Sequence, residues 1–387
     1  AGRRHPGAAS RRRIRPPLQP ELARRAGRLS RDARRFAGAP GRARRGAAAG
    51  EVHRTGRRRV GGALCGLART ARCRRARVSA PQVSVLLLTL DAMRGLPELW
   101  GRLAEQEIDA RVEIVAVDSG SSDGTAEFLE PRVDRFVRIP RERFNHGTTR
   151  NLGIETCRGE AVALLVQDAL PAGPCWLSEL VDAVRDEAVA GAFSRQIPAP
   201  GASALSRQQL AGWVAAELAP RRTRLSPQAF ASLSPLERMR ACAFDNVSSL
   251  VRREVWRQHP FPETPIAEDI AWGKRVLLAG WELAYAPGSA VFHSHDRSLR
   301  YELARTRLLH EELQRLFGLE AVGSLGDLVR CKAAQMVGER DGDRADEVRA
   351  PREWLRVLGL ACVWPTAQYL GVRRARFAAR HAAAVEA

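Results

Sequence analysis

The sequence predicts an α/β protein: a mostly parallel, mixed sheet flanked by helices, with a helical extension at the C-terminal end. Three observations predict it. Continuous apolar runs at residues 83–89, 112–117 and 161–166 have the length and make-up of strands buried on both faces. Helix-patterned stretches separate them at the spacing of βαβ units. Two runs lead into aspartates, Asp118 and Asp168. Ligands of such sheets bind beyond the carboxyl ends of the strands, so both aspartates belong on one rim.

The elements follow in order. A helix is expected at 96–107, a turn at 119–124, a third strand at 135–139 and a helix at 148–156. After the 161–166 strand come a strand at 189–197, a Pro/Gly break and a helix near 207–218. A helix at 267–280 stops at Gly280, and strands at 281–286 and 290–295 follow it. An amphipathic helix at 301–317 leads to a charged connector at 338–350. The uncharged run 357–372 is sixteen residues long and contains Pro365. A membrane span needs about 20 apolar residues, so the run reads as a buried or interfacial helix. The resulting division is a tail at 1–80, a main domain at 81–318 and a helical extension at 319–387.

Charge separates the tail from the rest. The 387 residues carry a formal net charge of +20. Residues 1–80 hold 24 arginines against Glu21, Asp32 and Glu51, with Phe36 the only aromatic residue. The remainder holds 39 basic and 40 acidic side chains and is nearly neutral. That balance excludes a uniformly basic nucleic-acid-binding fold. The tail lacks the aromatics that stack on bases and the apolar content that offsets ordering entropy. It is expected to be disordered and dispensable; an RNA-binding arm or a transit peptide are the alternatives. The chain begins at Ala1 and its first methionine is Met93, so the start is read as a processed, truncated or mis-assigned end. Seven scattered cysteines without a CxxC pair point to reduced thiols in a cytosolic setting.

Four segments carry the chemistry: VDSGSSDGT (117–125), FNHGTTRNLGIE (144–155), LLVQDALP (164–171) and AEDIAWGKRVLLAGWELAYAP (267–287). Asp118 ends a buried strand where a carboxylate can accept from the N–H of a pyrimidine base. Thr89 ends the first strand on the same side. Asp123 precedes Gly124 in a turn and reads as an Asx-turn or cap. Arg150 sits early in its helix, where a guanidinium can pair with a diphosphate, and Gly147 permits close backbone approach. Asp168 is a hard oxygen ligand for a divalent cation. His293 and His295 alternate on a strand and point the same way. Adjacent Glu268 and Asp269 begin a helix and point about 100° apart. Trp272 and Trp281 read as core or cleft wall rather than sugar-stacking platforms.

In this order the segments resemble a family-2 glycosyltransferase of the GT-A fold, over about residues 83–318. The FNHG-x-x-RN and QDALP forms, with GAFSRQIPAP (191–200) and FDNVSSLVRREVW (244–256), are most similar to its rhamnosyltransferase branch. The resemblance implies Asp118, Arg150 and Thr89 at the nucleotide, and Asp168 with His293 or His295 at an Mg²⁺ or Mn²⁺ ion bound to the donor diphosphate. It implies Asp269 as catalytic base, expected to be ionised at pH 7. Glu268, Arg195 and Gln196 are assigned to the acceptor side or to support. The resemblance implies a D-x-D or D-D pair after this strand, where this chain has Val166-Gln167-Asp168, which leaves one carboxylate for the metal.

The expected activity is inverting, metal-dependent transfer of a sugar, L-rhamnose from dTDP-L-rhamnose, to a glycan or lipid-linked acceptor. Alternatives are a UDP-hexose donor, a catalytically impaired nucleotide-sugar-binding protein and, more remotely, an Arg-rich nucleic-acid-binding protein. The folded domain is expected to bind no nucleic acid, and the protein to be cytoplasmic, with peripheral contact at the inner face of the membrane.

Overall fold

A computed structural model describes residues 82–295, 297–338 and 351–386, all within one compact unit. The expectations for the tail and for residues 339–350 of the connector lie outside the described residues.

Nine strands form a single mixed sheet: β1 (Val83–Thr89), β2 (Val112–Asp118), β3 (Arg135–Arg138), β4 (Ala161–Val166), β5 (Leu170–Pro171), β6 (Val189–Ile197), β7 (Arg221–Thr223), β8 (Ser248–Arg252) and β9 (Glu282–Phe292). Their order is β3-β2-β1-β4-β8-β6-β9-β5, with β7 also paired to β9. Parallel pairing holds β3, β2, β1 and β4 together. The apolar runs are continuous because the sheet is covered on both faces: Leu86, Val115 and Val117 enter one core cluster, and Val85, Leu87 and Ala116 enter the other.

Beyond β4 lie the antiparallel strands that make the sheet mixed, as expected. β8 runs antiparallel to both β4 and β6, β6 and β9 are parallel, and β5 and β7 are antiparallel to β9. Composition does not report direction, since a strand buried on both faces is an apolar run whichever way it points. The two strands expected at 281–286 and 290–295 are one strand, β9. Its partner register jumps from Ser194↔Ala286 to Arg195↔Ala290, so Pro287–Ser289 are absorbed as a bulge rather than a break. The helix expected at 207–218 is instead Ala204–Ala211, followed past Gly212 by a short 3₁₀ turn at Val214–Ala216.

The last elements pack on one another. The Leu299–Phe317 helix lies along the Pro351–Glu386 helix, which contains the expected 357–372 segment. At Gly371 a methyl group would overlap the Arg307 carbonyl oxygen, so the two backbones touch there. Among the described residues no helix is long and apolar enough to cross a membrane. The described cysteines (157, 175, 242, 331 and 362) are all free.

Candidate active site

A cleft of about 780 Å³ opens beyond the carboxyl ends of β1, β4 and β6, between those ends and the Glu268–Leu278 helix. Thr89, Arg150, Asp168, Gln196, Glu268, Asp269, His293 and His295 all line it. Asp118 and Arg195 do not.

The FNHGTTRN segment is a mooring for the acidic helix. Asn145 caps the His146–Thr156 helix by accepting from the N–H groups of Gly147 and Thr148. Its amide nitrogen donates to the Thr264 carbonyl at 3.0 Å. Asn151 donates to the Phe261 carbonyl at 2.8 Å and accepts from the Phe261 N–H at 3.0 Å. Gly147 lies so close to Pro262 that a β-carbon would overlap its carbonyl oxygen. The segment before Glu268 is therefore tied down at three points. Gly147→Ala is expected to cost about 1–3 kcal/mol by overpacking; urea denaturation gives the value, and an unchanged midpoint would contradict the clash.

That segment ends at Ala267, a non-glycine residue with φ of 64°. The left-handed region costs an alanine roughly 1–2 kcal/mol, and such strain concentrates at functional sites. It turns two carboxyl groups into the cleft. Glu268 forms a nearly buried ion pair with Arg150 at 2.8 Å and accepts from the Asn246 amide at 3.3 Å. Asp269 accepts from the backbone N–H groups of Ile270 (2.8 Å) and Asn246 (3.2 Å). Burial first, then the charges of Glu268 and Asp245, push the Asp269 carboxyl up to about 8. This corrects the expectation of an ionised aspartate at pH 7. Held above neutrality, the group is a stronger base once its proton is gone.

Across the cleft, Asp168, His293 and His295 present ligand atoms within 4.8 Å of one another. His295 Nε2 is 3.2 Å and His293 Nε2 is 3.7 Å from the Asp168 carboxylate. Behind them runs a chain that neither motif announced. Asp245 accepts from Gln196 Nε2 at 2.6 Å and from Trp213 Nε1 at 2.7 Å. With its amide nitrogen so placed, Gln196 turns Oε1 to His293 Nδ1 at 2.9 Å. Nδ1 must then carry the proton, which leaves the Nε2 lone pair facing Asp168. Burial holds the His293 imidazole neutral, its pKa lowered to about 4. Gln167, just before Asp168, clasps Leu90: Oε1 accepts from its N–H at 2.7 Å and Nε2 donates to its carbonyl at 3.0 Å.

Two expected site residues sit differently. Asp118 is fully buried, and its carboxylate accepts from Ser121 Oγ, from the N–H groups of Gly120 and Ser121 and, at 3.3 Å, from Thr89 Oγ1. It holds the turn after β2, and of that pair Thr89 reaches the cleft. Arg195 was grouped with Gln196, but successive strand residues face opposite sides; Gln196 enters the cleft and Arg195 points away. Asp123 accepts from the N–H groups of Thr125 (3.1 Å) and Met93 (2.9 Å), the structural role expected of it. Trp272 is wholly buried and donates to the His259 carbonyl. Asp245 and Asn246 are cleft residues that sequence reasoning missed; both lie in a quoted motif, and only their three-dimensional neighbours set them apart.

Residues 84–235 match the family model Glycosyl transferase family 2. The chain carries a family-2 glycosyltransferase domain. The matched span ends before the Glu268–Leu278 helix and the histidine pair, so the glycosyltransferase cleft draws half its lining from beyond it. O-antigen chain rhamnosyltransferase WbaN of Salmonella anatum is 25% identical over 228 residues, 58% of this chain and 70% of its own. O-antigen chain rhamnosyltransferase RfbN of Salmonella typhimurium is 27% identical over 231 residues, with the same shares. A solved mannosyltransferase from Pyrobaculum calidifontis, in complex with GDP-Man and Mn²⁺, has a TM-score of 0.48 and 16% identity, covering 76% of this chain and 88% of its own.

Proposed function

We propose that this glycosyltransferase moves a sugar, L-rhamnose from dTDP-L-rhamnose, to a hydroxyl of a glycan or lipid-linked acceptor with inversion at the anomeric carbon. The observation that carries the reading is one cleft lined both by a high-pKa carboxyl, Asp269, and by the Asp168–His293–His295 cluster. Asp269 takes the acceptor hydroxyl's proton as that oxygen attacks. Glu268, the carboxyl beside it, is committed to Arg150 and does not stand ready as a covalent nucleophile, and a single displacement fits best. The L-rhamnose assignment rests on the two curated relatives.

Asp168, His293 and His295 fit a divalent cation, Mg²⁺ or Mn²⁺: one carboxylate and two imidazoles converge, and Gln196 sets the His293 tautomer. A bound cation would neutralise charge on the departing diphosphate. Arg150 and Thr89 line the same cleft and are assigned to the donor. Arg305, on the Leu299–Phe317 helix, also lines it and adds positive charge near His293 and His295. The proposed division places transfer in 81–318 and a helical extension in 319–387, with 1–80 dispensable.

Two measurements test this. A panel of nucleotide sugars with Mn²⁺ or Mg²⁺ is expected to release nucleoside diphosphate fastest from dTDP-L-rhamnose; faster release from a UDP-hexose would reassign the donor. Gln196→Leu is expected to weaken Mn²⁺ binding by about 10–100-fold, the usual effect of losing a residue that orients a ligand. Titration calorimetry on the folded variant reads this directly, and unchanged affinity would remove Gln196 from that role.

A further inference from the structure

We propose that the solvent face of the Pro351–Glu386 helix docks on a bilayer surface rich in anionic lipid. On a helical wheel, Leu355, Leu358, Leu370, Arg373, Phe377 and Arg380 fall within an arc of about 120°. Leu355 and Phe377 are 69% and 72% exposed, and Leu358 and Leu370 are 41% exposed. The opposite face, with Leu360, Ala367, Val372 and Ala375, is buried. The helix is thus fixed to the folded unit by one side and leaves an apolar and basic stripe on the other. From Leu355 to Arg380, roughly 38 Å of helix, there are five arginines and no acid. Arg373 and Arg380 form no ion pair among the described residues.

Charge selects the occupant. A second copy would set these arginines against their own kind. Residues 1–80 are themselves arginine-rich and equally repelled. An anionic lipid surface complements the arginines while its acyl boundary takes the leucines and Phe377, the binding mode of an interfacial amphipathic helix. The helix cannot span a membrane, so it lies in the surface plane. Trp364 donates to Glu302 at 3.3 Å, and Glu302 lines the cleft, so docking brings the cleft close to the lipid. That purpose, presenting a lipid-linked acceptor, rests on the proposed function; the docking does not.

The test is co-sedimentation of the full chain with vesicles of phosphatidylcholine, with and without phosphatidylglycerol. At about 0.3 M salt, screening weakens any contribution from the arginine-rich tail. The wild type is expected to bind the phosphatidylglycerol vesicles. The triple variant Leu355→Ser, Leu358→Ser, Phe377→Ser is expected to bind at least about tenfold less, and Leu218→Ser, equally exposed elsewhere, to bind unchanged. A folded triple variant that binds as well as the wild type would overturn the proposal. So would concentration-dependent dimers that are lost in the triple variant without any vesicle binding. Release of nucleoside diphosphate from free donor, measured without vesicles, separates failure of docking from failure of the sugar-transfer reading.

Discussion

Replacing Asp269 by Asn is expected to lower turnover by about 10³-fold, within the range for losing a positioned general base, while donor affinity stays near normal. The reason is local. The two acids that bear on its charge are committed: Glu268 to Arg150 and Asn246, and Asp245 to Gln196 and Trp213. Neither is free to take over the proton. The same environment predicts the pH profile. Burial and two neighbouring acids raise the Asp269 carboxyl to about 8, and a base works only when deprotonated. The ratio kcat/KM, which reports the free enzyme, is therefore expected to rise about tenfold per pH unit below 8 and level off above it. A profile flat from pH 6 to 8, or near-normal turnover in the Asn variant, would take the proton transfer away from Asp269.

Asp168→Ala is expected to be the second severe variant. It removes the only carboxylate of the Asp168–His293–His295 cluster, and the neighbouring Gln167 amide is held by Leu90. Mn²⁺ affinity should fall by at least about 100-fold, beyond the loss typical of a ligand-orienting residue, with turnover falling alongside it and partly restored by excess Mn²⁺. His293→Ala is expected to exceed His295→Ala in effect, since only His293 has its tautomer set by Gln196. Mn²⁺ titration of the three variants decides this. Undiminished affinity in Asp168→Ala would place the cation elsewhere and break the link between this cluster and the diphosphate.

Much of the parallel half of the sheet was legible because its strands are buried on both faces, which writes them as unbroken apolar runs. β1, β2, β4 and β6 fall at or within a residue of their expected bounds. β8 was not anticipated as a strand, for Ser248 and Ser249 interrupt its apolar character. Ser249 is buried and donates to Asn246 three residues back, and Ser248 accepts from Trp176, a partner from a distant part of the chain. Pro287 and Gly288 fall between the two expected strands, yet a bulge in β9 accommodates them.

A local rule, that strand ends point to one rim, placed Asp168, but His293 and His295 lie past the end of β9 at Phe292 rather than on the expected 290–295 strand, and their meeting with Asp168 is made by the fold. The strand-end rule needs only neighbours in the chain. The tasks of Gln196, Asp245 and Arg150 needed partners 49 to 118 residues away, so no spacing could announce them. The Asp269 pKa is of the same kind. Residue type placed a carboxyl at the head of a helix, but burial and the approach of Asp245 set the energy of its charge. Sequence alone thus specified which groups and which sheet rim, because these depend on short-range periodicity. Tertiary packing decided which groups remain free to act, because solvation and pairing are properties of the folded surroundings.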